Sequence, residues 1–287
     1  MTLATRAATR AEALGVALPP LVVAAERVAA TVMQGVHGRR RSGTGDAFWQ
    51  FRPFVPGDPS SRVDWRQSAK SDRLFVRETE WEAAQTVVLW RDPSASMRWR
   101  SNLAATEKRE RAELLLLALA ALLFRGGERV RLLPAGERRA FAGRGALAAL
   151  AEALGRHDAA PEDATIPRHA RVVLFGDFLQ PLEEVSRTVA ALAARPVRGH
   201  LIQVLDPAEE TLPYAGRVRF EGLEAAEEPT LVPRVEGVRD LYAERLTQHR
   251  AGLATIAASA GWRFAVHRTD HPPEAALLAL WLALAPD

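Results

Sequence analysis

From Gln85 onward the chain alternates short apolar runs with longer helix-patterned stretches, and this alternation leaves few folds open. The strand candidates are Thr86–Arg91, Arg129–Leu133, Val172–Gly176, His200–Leu205 and Arg263–Val266. The helix candidates are Glu107–Arg125, Ala146–Gly155, Leu182–Ala194, Leu241–Ala260 and Glu274–Leu284. Strands that are apolar throughout must be covered on both faces, so the pattern predicts a doubly wound, mostly parallel α/β sheet flanked by helices. Arg138–Phe141, after the Ala135-Gly136 turn, adds an antiparallel hairpin strand, and Arg217–Phe220 adds a further strand. In an open sheet of this kind the crevice lies beyond the strand carboxyl ends, where strand order reverses.

Two stretches ahead of the alternation have a different texture. Residues 1–34 carry Leu18-Pro19-Pro20 and then an amphipathic run, read as an extended entry and a helix that ends near Gly35. Residues 35–84 are richer in glycine, proline and charge. Seven of the nineteen aromatics fall between Phe48 and Trp81. Short strands at Asp46–Phe54 and Arg73–Glu80, joined by the Pro56-Gly57-Asp58-Pro59 turn, suit that composition, with Trp65 and Phe75 buried. The expected plan is a helical segment over 1–34, a small β-rich insert over 35–84 and an α/β domain over 85–287.

Composition narrows the function. The longest uncharged apolar runs, Leu114–Phe124 and Ala275–Pro286, are shorter than the roughly 18–20 residues a membrane-spanning helix needs. Glu12 and the Pro19-Pro20 pair leave no uninterrupted signal-peptide core, so a cytoplasmic location is expected. Without cysteine there is no thiolate nucleophile, thiolate metal site or disulfide. The formal charge is only +3. Nine basic residues stand against four acidic ones from Arg39 to Arg77, but Glu78, Glu80 and Glu82 follow at once. A nucleic-acid interface usually shows a broader basic stripe.

Enzyme signatures are missing as well. There is no GxSxG elbow, no HExxH pair and no Walker lysine. Gly43-Thr44-Gly45-Asp46-Ala47-Phe48 lacks both the third glycine and the preceding apolar strand of a dinucleotide fingerprint.

The chemistry-bearing residues follow the strands. Asp206 and Asp270 read as caps of the next turn or helix. Asp92 differs, because it opens Asp92-Pro93-Ser94-Ala95-Ser96-Met97. That DxSxS spacing sets one carboxylate and two hydroxyls on a tight turn, and hard oxygen ligands so spaced suit a six-coordinate Mg²⁺. If strand order reverses beside this strand, the neighbour ending in Gly176-Asp177 brings a second carboxylate close.

The combination resembles the metal-ion-dependent adhesion site of von Willebrand factor type A domains. Asp92, Ser94, Ser96 and Asp177 match it in motif and order. The resemblance implies a Mg²⁺ cofactor held by Asp92, Ser94 and Ser96, with Asp177 direct or through water. The threonine of such sites has no counterpart: residues 107–164 contain neither serine nor threonine, and the loop where it belongs reads Gly143-Arg144-Gly145.

The preceding region adds a second resemblance. Arg52-Pro53-Phe54-Val55-Pro56-Gly57-Asp58-Pro59, Arg62-Val63-Asp64-Trp65 and Arg73-Leu74-Phe75-Val76-Arg77-Glu78 are similar to the RPYxPGDxxRxIDW…LxVRE block of domain of unknown function family 58. In that family the block directly precedes a von Willebrand-type strand and its DxSxSM turn. Leu205-Asp206-Pro207-Ala208-Glu209, Tyr214 and Gly216 fit its short bacterial branch. The resemblance spans residues 35–287 and implies a von Willebrand type A-like fold. As partner it implies a MoxR-type AAA+ ATPase, which the chain would serve as adaptor or co-chaperone.

Read without the resemblance, Arg52, Asp58, Arg62, Asp64 and Arg77 alternate in sign within a proline-pinned segment. They form either a charge network that locks the insert onto the α/β domain or a charge-coded surface for a partner. The expected function is a non-enzymatic protein-interaction module that binds partners at the strand carboxyl-end face, with a divalent metal as the bridge. Two alternatives stay open: metal-dependent phosphoester hydrolysis by the Asp92/Asp177 pair, and nucleic-acid binding through Arg39–Arg41 with the aromatics of residues 48–54.

Overall fold

The computed structural model describes residues 20–34, 48–56, 58, 60, 63–71, 73–79, 85–133, 140–143, 145–156, 161, 166–223 and 228–284. The chain divides into two compact units, one of His37–Ala84 and one that joins Met1–Val36 to Gln85–Asp287. Helix α1 (residues 20–34) belongs to the larger unit. Its Ala25, Val28, Ala29 and Val32 recur at helical spacing and are buried in that unit's core.

The smaller unit is a two-stranded antiparallel ribbon with one helical turn. Strand β1 (Phe48–Pro53) pairs with β2 (Phe75–Thr79), with a bulge between Phe48 and Gln50. The link is longer than one proline turn, because helix α2 (Trp65–Ser68) intervenes. Asp64 caps α2 by accepting the Gln67 N–H at 2.8 Å, and Asp58 accepts the Val55 N–H at 2.9 Å. Ser68 is the buried residue of α2 and accepts the Phe75 N–H at 2.9 Å. Trp65 corrects the expectation of burial: it is 66% exposed, since one helical turn pinned through Ser68 leaves its first residue outside. Phe75 is half-buried.

The larger unit carries the sheet. In chain order it runs β3 (Thr86–Arg91), α3 (Lys108–Arg125), β4 (Arg129–Leu132), α4 (Ala146–Arg156), β5 (Arg171–Gly176), α5 (Leu182–Ala193) and β6 (Arg198–Leu205). Then follow α6 (Pro207–Thr211), the ribbon strands β7 (Val218–Phe220) and β8 (Thr230–Val232), α7 (Arg239–Ser259), β9 (Arg263–Arg268) and α8 (Pro273–Ala283). Five strands pair in the order β4-β3-β5-β6-β9, all parallel. The hairpin expected at Arg138–Phe141 survives as an antiparallel bridge between Val130 and Phe141, with residues 134–139 outside the described set.

Side chains alternate across this sheet as the strand period requires. Val87, Leu89, Val173 and Phe175 face one core with α1, α3, α4 and α8. Val88, Trp90, Val172 and Leu174 face the other with α5 and α7. Helix α3 is buried almost all round from Leu115 to Leu123, which explains its unbroken apolar run without any membrane. Among the described residues no helix is long and apolar enough to cross a membrane.

The sheet order fixes where chemistry can gather. The chain leaves β3 for β4 on one side, and β5 then returns to the other side of β3. Strand order therefore reverses between β3 and β5, and the crevice opens beyond their carboxyl ends.

Candidate functional site

Asp92 and Asp177 follow the two strands that flank this reversal. Arg91 pairs with Phe175 in register, and the Asp92 N–H donates to the Phe175 carbonyl at 2.8 Å. Gly176 permits the approach, because a Cβ there would stand 3.1 Å from both Cβ and Oδ2 of Asp92. Beyond Asp92 the chain turns at once: Asp92 Oδ1 accepts the Ser94 N–H at 2.8 Å, and a 3₁₀ turn over Ala95–Arg98 follows. Met97 is fully buried and anchors that turn. The hydroxyls of Ser94 and Ser96 lie 3.0 Å apart, and Ser96 Oγ donates to Asp177 Oδ2 at 2.7 Å. The structure thus brings Asp92, Ser94, Ser96 and Asp177 together across the two strand ends.

Two residues that the motif does not contain complete the cluster. Lys108, the first residue of α3, is 1% exposed, and its Nζ donates to Asp177 Oδ2 at 2.8 Å and to Glu209 Oε1 at 2.5 Å. Glu209 is held by a reciprocal capping box on α6, in which its Oε2 accepts the Asp206 N–H at 2.8 Å. The Tyr242 hydroxyl donates to the Glu209 carbonyl. Asp177 is fixed further by its own carbonyl, which accepts Gln203 Nε2 at 2.8 Å.

Asp206 follows β6 and does a different job. It is fully buried and accepts Ser101 N–H at 2.8 Å, Ser101 Oγ at 2.6 Å and the Ala208 N–H at 2.8 Å. Asp206 is therefore the cap that its sequence position suggested. Asp270, by contrast, accepts Arg268 Nε at 2.7 Å on an exposed turn.

The electrostatics follow from burial and pairing. Burial alone works against a charged lysine, yet Asp177 and Glu209 together outweigh it and hold the Lys108 ammonium above the ordinary lysine value. Burial, with Asp177 as a like-charged neighbour, pushes the Asp92 carboxyl above the usual aspartate range. Asp177 and Lys108 form an ion pair, while burial disfavours the charge of Asp92 and also raises the Glu209 carboxyl above the usual glutamate range despite its bond to Lys108.

A divalent ion does not fit this arrangement. Asp177 Oδ2 already accepts from both Ser96 and Lys108, and the two serine hydroxyls are bonded to each other. A Mg²⁺ bound to that oxygen would meet the ammonium at close range, where like charges repel strongly.

The charge-alternating block is only partly in view. Asp58 and Asp64 serve local backbone N–H groups. Arg52 and Arg77 lie on β1 and β2, but their side chains, like Arg62 and Arg39–Arg41, are outside the described residues.

Fold and site together define a mixed α/β protein with a mostly parallel sheet and a polar, ion-paired cluster at its point of strand-order reversal. Residues 50–252 match the family described as protein of unknown function DUF58, and the chain belongs to that family. Uncharacterized proteins of Mycobacterium tuberculosis and Mycobacterium bovis are 30% identical to it, over 90% of this chain and 85% of theirs. Among solved structures, the conserved hypothetical protein BatB of Bacteroides thetaiotaomicron is similar over 70% of this chain and 100% of its own, at 14% identity and a TM-score of 0.38.

Proposed function

We propose that this chain is a non-enzymatic interaction module of the von Willebrand type A-like kind, an adaptor or co-chaperone for a MoxR-type AAA+ ATPase. It engages its partner with the strand carboxyl-end face. The observation that carries this reading is the closed state of the cluster at the strand reversal: Asp177, Ser96, Lys108 and Glu209 satisfy one another. A group so engaged makes a stiff polar platform at the place where sheets of this order bind. The DxSxS turn at Asp92 and the sheet order support the von Willebrand-like reading, and the DUF58 resemblance supports the ATPase as partner. The hydrolase alternative finds no support in an Asp177 already tied to an ammonium.

The test uses Leu179, which is 40% exposed two residues beyond Asp177. Purified MoxR-type ATPase from the same genome is titrated onto the immobilised chain and onto Leu179→Asp. Burying a new charge at the centre of an interface is expected to weaken binding by about tenfold or more. Equal binding by both forms overturns the choice of face, and absence of binding by the unaltered chain overturns the partner.

A further inference from the structure

We infer that Lys108 is the resident cation of the Asp92/Asp177 site, standing where the DxSxS motif leads one to expect a divalent ion, so that this face works without metal. Position is the first argument. The Lys108 ammonium donates to Asp177 Oδ2, the same oxygen that receives the Ser96 hydroxyl of the motif. The lysine therefore reaches the motif's own oxygen set.

Burial is the second argument. Lys108 is 1% exposed, and a lysine is almost never fully buried unless it is paired. Here two carboxylates from separate elements, Asp177 after β5 and Glu209 on α6, converge on one ammonium. A Mg²⁺ ion collects oxygen ligands from distant parts of a chain. This ammonium likewise joins α3, the end of β5 and α6 through two charge-assisted hydrogen bonds.

Chemistry is the third argument. The chain uses arginine for nearly every basic position, and Lys70 and Lys108 are its only lysines. A guanidinium is a broad planar fork, whereas an ammonium is a compact point charge with three donors. The compact cation suits a position almost sealed from solvent between two carboxylates, whereas Arg268, which also bridges two carboxylates, sits at a part-exposed site. The absence of serine and threonine from residues 107–164 agrees with this, since an ammonium needs no hydroxyl ligand on the intermediate loop.

The inference deepens the adaptor reading by making the contact metal-independent, but its test needs no partner. MgCl₂ and MnCl₂ are titrated calorimetrically into the full chain, into Lys108→Met and into the charge-balanced Lys108→Met/Glu209→Gln. The double variant removes one cation with one anion, so it keeps the fold where the single variant loses it. No saturable binding is expected for the unaltered chain. Removal of the like charge is expected to tighten Mg²⁺ binding by about tenfold or more in whichever variant folds.

Saturable Mg²⁺ or Mn²⁺ binding by the unaltered chain overturns the inference. A folded variant that binds no ion overturns it too, because the lysine would then not be holding an ion's place. If neither variant folds, the unaltered chain decides alone: absence of binding sustains the inference and presence defeats it. Failure of the ATPase to bind leaves all of these outcomes as they are, so the two readings fall separately.

Discussion

Asp177 and Asp206 end adjacent parallel strands, are equally hidden from solvent, and are stabilised by opposite means. Asp206 receives two backbone N–H groups and one hydroxyl, all neutral donors from within the turn it caps and from Ser101. Asp177 receives a hydroxyl, the Leu179 N–H at 3.3 Å and a buried ammonium, with the ammonium shared by Glu209. Neutral donors fix a turn locally and leave nothing to exchange. An ammonium shared by two carboxylates binds three elements at one charge, so each partner depends on the others. The pair teaches that an aspartate at a strand end is a cap when its donors are neutral and a tie when one of them is an ammonium shared with another carboxylate.

The largest effect should come from breaking the tie. Lys108→Met leaves Asp177 and Glu209 as buried carboxylates without a counter-charge, a loss of about 3–5 kcal/mol measurable by urea unfolding near neutral pH. The pH dependence gives a second readout. Because the folded-state pKa of Lys108 lies above its ordinary 10.5, the lysine's contribution is complete below that value and fades as pH rises through the folded pKa. The gap between the unaltered chain and Lys108→Met should therefore hold through neutral pH and narrow in alkali, and it should narrow in acid too, where Glu209, held above the usual glutamate range by burial, loses its charge. A gap that stays constant into strong alkali would assign the loss to packing around the methionine.

Next comes the cap. Asp206→Ala strands the N–H groups of Ser101 and Ala208 and the Ser101 hydroxyl, at a cost of about 1–3 kcal/mol. Asp206→Asn should recover only part of that stability, since its amide oxygen replaces one of the two accepting carboxylate oxygens while its NH₂ meets a donor at the other. No such recovery is expected at Asp177, where the lost charge is the interaction. Unfolding curves for the two Asp→Asn variants side by side measure the difference between cap and tie. Equal losses would erase it.

The sheet was legible because its strands are apolar on both faces: Val87 to Trp90 and Val172 to Phe175 need cover above and below wherever they sit. The DxSxS turn was legible because Asp92, Ser94 and Ser96 are neighbours in sequence. Lys108 was not, since its partners lie 69 and 101 residues away and no local period reports such a contact. Its one visible signal was the choice of lysine in a chain that otherwise uses arginine. Glu209 could have been found through the Asp206-Pro207-Ala208-Glu209 capping box, which states that the carboxylate folds back toward β6. Trp65 misled because an aromatic suggests a core, while the single turn of α2 is anchored through Ser68 and Asp64. The three-residue β8 is too short to show a period at all.

Asp92 is the sharpest remaining test, since it belongs to the motif but not to the ion pair. Its raised pKa, caused by burial and by Asp177, means that the fold binds a proton there more tightly than the unfolded chain does. Ionised Asp92 therefore subtracts stability above its folded pKa, and that penalty disappears as pH falls toward the unfolded value. Asp92→Asn keeps the Oδ1 acceptor for the Ser94 N–H and removes the charge. Thermal melts should then show a gain, or a change below about 0.5 kcal/mol, at pH 7, and convergence with the unaltered chain in acid. A metal site would behave in the opposite way, because there Asp92 earns its charge from the ion. A loss at pH 7 as large as that of Lys108→Met would move Asp92 into the ion-paired set, and the site would then have two ties where the structure has one.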